Sequence, residues 1–485
     1  MHNMSSRHDL IGPAQARYRT LWRWHFYAGL FVMPFLMVLA VTGTLYCFQP
    51  QIEPLLYGHL LVVHPSGGPR LDEDRLLARA AAAMPPGSRA VSAAIGRNPG
   101  RSAEFVFRPL HADKQSVYVN PYTGDVLGAL SVDHRFMQVD RMIHRKLLLG
   151  KTGELIMELA ACWTLVLVGT GVALWWPREG VGIRGLLWPR FELRGRLLWK
   201  SLHAAMGAWL AVGAVAFILT GLPWTGSWGK HFKALATQIH LGSPAGAWGA
   251  SALRSRAPRA SATASGAEEP AAGGMGAMPG MVMDDLPLRR VPWAVGDTAV
   301  PESGPKAGHA GLSLDRIIAI AGSRGLAGGY DVALPATPTG VYTVSYFPPD
   351  PRKERTLHID QYSGKVLEDI AYRDYGAVSK AVSYGTALHM GRYFGLANQL
   401  LCTMISLGLA AMAATGAVMW WKRRPGSGLG APPRMAAPAA MRRWKTGLIA
   451  LGIVFPLMGA TMIAVWIVDG IFSRSTAGRW GPDGL

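Results

Sequence analysis

The sequence predicts a mainly α-helical, internally duplicated membrane protein: a five-helix transmembrane bundle carrying two small α+β modules. Three observations lead there. Hydrophobic residues make up 50% of the 485 positions and are gathered into runs rather than spread evenly. Two pairs of histidines recur at matching spacing in the two halves. A short strand–turn–strand motif also occurs twice.

A spanning helix needs roughly 20 apolar residues to cross the hydrocarbon core. Five stretches reach that length: 26–48, 155–176, 203–224, 396–421 and 446–468. The first starts too late and runs too long for a removed leader, and no small-residue cleavage site follows it. The formal charge of +19 is concentrated between the apolar runs. Arg7, Arg17, Arg19 and Arg23 precede the first. Arg178, Arg184, Arg190, Arg194, Arg196 and Lys200 follow the second. Lys422, Arg423, Arg424, Arg434, Arg442, Arg443 and Lys445 precede the last. Lys and Arg collect in cytoplasmic loops, so 1–25, 177–202 and 422–445 are assigned to the cytoplasm. The stretches 49–143 and 225–388 and the tail 469–485 fall on the opposite side. The excess charge is a topology signal, and no nucleic-acid partner is expected. Cys47, Cys162 and Cys402 lie in or beside apolar helices and read as small packing residues. They form no disulfide framework and no Cys-x-x-Cys-His attachment for covalent haem.

Each half reads as helix, external module, helix. The shared motif is Val117-Tyr118-Val119-Asn120-Pro121-Tyr122-Thr123-Gly124-Asp125-Val126-Leu127 in the first module. In the second it is Thr356-Leu357-His358-Ile359-Asp360-Gln361-Tyr362-Ser363-Gly364-Lys365-Val366-Leu367. Alternating apolar residues around a Tyr-Thr/Ser-Gly turn signal a hairpin. A helical stretch precedes each, Leu71–Met84 and Leu314–Gly322, opened by acidic or capping residues. The roughly seventy residues 241–310 are dominated by Ala, Gly, Pro and Ser, a composition read as a disordered external linker. It carries Met275, Met278, Met281 and Met283. Without neighbouring His or Cys these read first as methionines of a flexible tract. A Cu(I) contact through soft thioethers is the second reading.

The histidines carry the chemistry. His25 and His203 each stand 17 residues before a Thr-Gly pair, Thr42-Gly43 and Thr220-Gly221. His144 and His389 each stand 26 residues before another, Thr170-Gly171 and Thr415-Gly416. The second match runs on to Trp175-Trp176 and Trp420-Trp421. An ionisable residue at membrane depth is a functional hypothesis by default. Two pairs in a duplicated bundle fit two pairs of axial ligands, and bundles place such cofactors between facing helices. Bis-imidazole haem is a low-spin electron carrier. His25 and His203 would serve the cytoplasmic side, and His144 and His389 the opposite one. A continuous helix would lift His144 some 16 Å above the apolar core at about 1.5 Å per residue. A helix break near Gly150 and Gly153, and near Gly391 and Gly395, is therefore expected. His111, His134, His231, His240, His309 and His358 have no repeat partner in register and are read as surface residues. The paired tryptophans are read mainly as interfacial anchors. Pro34 and Pro456 are read as kinks. Nucleotide fingerprints, phosphate loops and His-Glu-x-x-His sites do not occur.

The chain resembles the PepSY-associated transmembrane family of bacterial inner-membrane proteins, also described as iron-regulated or PiuB-like. The resemblance rests on four features. They are Trp24-His25 leading into the first helix, the Ile143-His144-Arg145-Lys146-Leu147 and Leu388-His389-Met390-Gly391 segments, the Gly169-Thr170-Gly171…Trp175-Trp176-Pro177-Arg178 ending, and the two Tyr-Thr/Ser-Gly hairpins. It covers nearly the whole chain except 241–310. It implies a multi-pass inner-membrane dihaem protein with two non-covalent b-type haems and periplasmic PepSY-like modules. Such a protein would reduce a ferric siderophore or other metal chelate with electrons from a cytoplasmic or quinol donor. Two other readings compete: a periplasmic copper reductase using the methionine-bearing linker, and a haem-free membrane anchor whose modules regulate or sense external peptidases.

Overall fold

The computed structural model describes residues 13–65, 67–176, 187–244, 281–303, 310–424, 430 and 441–477. In chain order α1 (Pro13–Cys47), α2 (Gln49–Leu56), α3 (Gly58–Leu61) and α4 (Glu73–Ala82) lead into β1 (Arg89–Ile95), β2 (Ala103–Arg108), β3 (Gln115–Val119) and β4 (Val126–Ser131). Helices α5 (Phe136–Lys146), α6 (Gly150–Trp175), α7 (Gly195–Gly221), α8 (Trp228–Gln238) and α9 (Leu314–Ser323) follow. Then come β5 (Tyr330–Ala333), β6 (Val341–Tyr346), β7 (Arg355–Asp360) and β8 (Val366–Ala371). The chain closes with α10 (Ala377–His389), α11 (Leu396–Trp421), α12 (Arg442–Val454) and α13 (Pro456–Ala477). Two compact units result. Residues 1–44, 142–230 and 401–485 form a helical bundle, and 45–141 with 231–400 form a unit that contains the sheet.

Among the described residues of the bundle, four helices are long and apolar enough to cross a membrane: α1, α6, α7 and α11. The protein is a multi-pass membrane protein. The fifth span expected at 446–468 is not one helix. Pro456 has no N–H and its ring crowds the preceding turn, so Phe455 leaves helical geometry (φ −119°, ψ 82°). The chain bends until Gly452 and Gly459 meet backbone to backbone, where a Cβ on Gly459 would lie 2.5 Å from the Gly452 carbonyl oxygen. The apolar part beyond the bend, Pro456–Ile467, is shorter than a span. Phe455 and Met458 pack with Cys162, Val166, Ile218 and Leu222 into one core. Pro34, by contrast, is accommodated within a continuous α1.

Glu158 lies inside α6 and is only 2% exposed. Its carboxylate accepts from the backbone N–H groups of Ser227 and Trp228 at 3.0–3.1 Å. The charge caps the N-terminus of α8, where orphan N–H groups and the helix dipole favour an anion.

In the other unit the two expected modules are fused. One eight-stranded antiparallel sheet runs β4-β3-β2-β1-β5-β6-β7-β8, with β1 and β5 joined from Ser92↔Ala333 to Ile95↔Tyr330. Pairing these strands removes two edges that would otherwise expose unpaired backbone groups. The repeat shows in detail. Tyr122 and Tyr362 donate to the carbonyls of Pro99 and Pro338, and Gly124 and Gly364 take left-handed φ of 79° and 72° in the matching turns. Helices α4 and α9 cap each other: Asp315 accepts from the N–H groups of Glu73 and Asp74, and Asp74 from those of Leu314 and Asp315. They cover one sheet face, burying Phe105, Phe107, Val344, Leu357 and Ile359.

The opposite face is buried but polar, and it corrects two expectations. The linker reading of 241–310 fails for 281–303. Met283, Ala294 and Val295 are buried with Tyr375, and Arg289 bonds to Glu104 and Asp331 at 3.1 and 2.5 Å. Averaging over seventy residues concealed a compact apolar tract with one pinning arginine. Met283 is thus a core residue rather than a copper ligand, Met281 is half-buried, and Met275 and Met278 lie outside the described residues. Burial pushes Glu104 upward, but the Arg289 and Arg135 guanidiniums outweigh it and hold its carboxyl at about 2. His358, read as a surface residue, is fully buried on β7. It is the counterpart of Tyr118 in the repeat. Its Nδ1 meets Thr343 Oγ1 at 3.0 Å, and Nε2 is buried without a hydrogen-bond partner among the described residues.

Two predictions follow from these burials. Burial lowers the His358 pKa from 6.5 to about 4, so below pH 6.5 the unfolded chain takes the proton first. The His358 contribution to stability is therefore complete above pH 6.5 and is lost toward pH 4, by at most about 3 kcal/mol. Hydrogen exchange of β7 across that range should show the slope, and His358→Gln should flatten it. Separately, Glu158→Ala strands two N–H groups in an apolar bundle at a cost of about 2–3 kcal/mol. Thermal melting should show the loss, with Glu158→Gln recovering most of it.

Candidate functional site

Helical spacing puts Tyr18, Trp22, His25 and Gly29 on one face of α1, and Arg196, Lys200, His203 and Gly207 on one face of α7. Both faces line a single cavity of about 520 Å³ in the bundle. Helix α6 adds Thr164, Leu167, Gly171 and Trp175, and α11 adds Met412, Gly416 and Trp420, with Arg423 just past its end. The expectation that His25 and His203 face one another is met. Their ring centroids are 6.3 Å apart and the rings lie at 85°.

Each imidazole rests against a Thr-Gly pair of another helix. His25 Nδ1 lies 3.1 Å from both the Leu167 carbonyl and Thr170 Oγ1. His203 Nδ1 lies 2.9 Å from Thr415 Oγ1. His144 Nδ1, in the last turn of α5, lies 2.9 Å from Thr42 Oγ1. Each threonine hydroxyl already donates to a carbonyl of its own helix: Thr170 to Val166, Thr415 to Met412, Thr42 to Val38. The hydroxyls can therefore only accept from the rings. That places the proton on Nδ1, and in His25 and His203 it leaves the Nε2 lone pair available. The adjoining glycines make the approach possible, since a Cβ at Gly171, Gly43 or Gly416 would lie 3.1, 3.3 or 3.6 Å from the Cε1 of His25, His144 or His203.

The helix breaks expected beside the other two histidines are present. After α5 the chain passes through Leu147 and Leu148, both at positive φ, and α6 opens on Gly150, also at positive φ. A side chain at Gly153 would overlap the Lys146 carbonyl. After α10, Gly391 and Gly395 take φ of 68° and 56°. His389 closes α10 in the sheet unit, where its carbonyl faces Cys47 Sγ at 4.0 Å and the Leu388 carbonyl accepts from Asn398. His144 belongs to the bundle.

The Thr-Gly pairs were visible in the sequence as register marks, but their role as partners of the imidazoles was not. The tryptophan pairs divide. Trp175 and Trp420 line the cavity, whereas Trp176 and Trp421 are 65% and 63% exposed and fit the anchoring role. Arg196, Lys200 and Arg423 were read only as topology charges, yet all three reach the cavity. Among the described residues no group of three or more His, Cys, Asp or Glu is placed to hold a metal ion by itself.

Nitrogen-15 NMR of histidine-labelled, ligand-free protein should find His25 and His203 protonated at Nδ1. His25 also meets the Leu167 carbonyl and His203 the Met412 backbone, so Thr170→Val or Thr415→Val alone should weaken the Nδ1–H preference of its ring without reversing it.

No curated protein matches the chain. The family model of the PepSY-associated TM region matches residues 22–423, starting three residues before His25 and ending at Arg423. The chain belongs to that family.

Proposed function

We propose that the chain is a haem-bearing electron-transfer protein of a bacterial inner membrane, reducing a ferric chelate on the periplasmic side. One observation carries the reading: two imidazoles face each other across an apolar cavity with their Nδ1 protons committed elsewhere. An imidazole–metal bond of about 2.0 Å puts the centroids of two rings on one ion roughly 6 Å apart, and His25 and His203 stand at 6.3 Å. Thr170 and Thr415 act as the outer partners that fix ring orientation and raise ligand basicity. The cavity volume of about 520 Å³ and its largely apolar wall suit a flat, hydrophobic macrocycle. Haem held by two imidazoles supplies reversible one-electron transfer, with no open iron position for oxygen.

The second pair, His144 and His389, rests on the repeat. His144 has the same outer contact as the inner ligands, to Thr42, and both histidines end helices that stop at left-handed residues. The basic segments support a cytoplasmic-side position for the His25/His203 cavity, from which electrons from a cytoplasmic or quinol donor would move outward. One electron converts Fe(III) to Fe(II), which a hard-oxygen chelator holds less tightly. Copper handling loses Met283 as a ligand, because that thioether is fully buried in an apolar cluster. A haem-free anchor would have no use for three imidazoles held in one tautomer.

Purified protein should show a Soret band that sharpens on dithionite reduction. His25→Ala or His203→Ala should remove about half of it, and His144→Ala or His389→Ala the other half. Reduced protein mixed with a ferric chelate should reoxidise while an Fe(II)-specific chromogen develops. A colourless wild-type protein would sink the reading.

A further inference from the structure

We infer that Arg196, Lys200 and Arg423, at the mouth of the His25/His203 cavity, form a seat for a dianion, and that its occupant is the pair of propionate carboxylates of the bound haem. The inference rests on the haem reading above. Lys200 and Arg196 stand about one and two turns before His203 on the same face of α7, roughly 5 and 10 Å along the axis. Arg423 stands two turns beyond Gly416, the residue that abuts the His203 ring. Its guanidinium is stacked over Trp22 and Phe26 at 4.7 and 5.0 Å from their centroids, which turns it toward the cavity.

Three cations converge there, and among the described residues no Asp or Glu lines the cavity. Burial and the like charge of Arg196 both push the Arg423 guanidinium below its ordinary value. Cations gathered at an apolar cavity without a protein counter-charge call for an anionic ligand, and forked guanidinium donors match carboxylates. The neighbours in sequence behave differently. Lys422 is exposed, and Arg424 stacks over Trp421 at 3.7 Å; neither lines the cavity. All of these residues carry the charge expected of a cytoplasmic loop, but only Arg196, Lys200 and Arg423 reach the site.

That contrast provides the control. Lys200→Gln/Arg423→Gln is compared with Lys422→Gln/Arg424→Gln, which removes the same charge from the same side of the membrane. The first should retain the His25/His203 haem at least roughly tenfold less tightly and lower its midpoint potential, since lost positive charge favours Fe(III). The control should match wild type, and the His144/His389 signal in each sample reports that the protein is folded. Reconstitution with haem dimethyl ester should bring wild type down to the level of Lys200→Gln/Arg423→Gln and leave that variant unchanged. Equal retention and equal potentials in both double variants, or an ester bound as tightly as haem by wild type, would overturn the seat while leaving the haem reading intact. A cationic mouth that binds anionic lipid headgroups instead would give that same indifference to the ester. Wild-type protein without a Soret band would overturn both.

Discussion

An imidazole inside an apolar bundle must find a partner for its N–H, and the helices around it are arranged to provide one. A threonine hydroxyl that already donates to its own helix can only accept, so it takes the Nδ1 proton and orients the ring. The residue after each threonine is glycine; a side chain at Gly171 or Gly43 would press on the imidazole, and one at Gly416 would touch it. Thr170-Gly171, Thr415-Gly416 and Thr42-Gly43 each serve one histidine in this way. The fixed histidine-to-Thr-Gly spacings follow from this need. From His25 to Thr42 the spacing runs along one helix, α1, whereas from His144 to Thr170 it crosses the break between α5 and α6. A duplicated pair of helices then meets the same need twice.

The sheet unit obeys a related constraint. Two four-stranded halves would leave edges open, and pairing β1 with β5 closes them. Asp74 and Asp315 exchange caps between α4 and α9, so the helix N-termini supply each other's acceptors. The polar face of this sheet is held by ion pairs rather than by apolar packing. Glu104 gathers Arg135, Arg289 and Tyr118, whereas the equivalent position of the second half carries Thr343 beside His358. The duplication preserves the backbone while the chemistry of the buried face diverges.

Much of this was legible in the chain. Apolar run length located α1, α6, α7 and α11, because hydrocarbon thickness sets helix length. Repeat spacing identified the four histidines, and the glycines and charges around His144 and His389 signalled the helix breaks. The misreadings share a cause: properties averaged along the chain, or judged one residue at a time, do not report what packs against what. The span at 446–468 was apolar enough, but Pro456 removed one hydrogen bond and let two glycines meet. Residues 281–303 were lost in the composition of a longer tract. His358 looked solitary because its repeat partner is a tyrosine.

The sequence by itself determined the membrane class, the duplication and the matched spacing of the four histidines. These follow from hydrophobic length, charge and period, which are local properties. Only the tertiary structure decided that His25 and His203 face each other at 6.3 Å, that their protons sit on Nδ1, and that Arg196, Lys200 and Arg423 reach the cavity while Arg424 turns away. Those outcomes depend on which residues of distant segments meet across a packed interior, and spacing along one chain does not encode that separation.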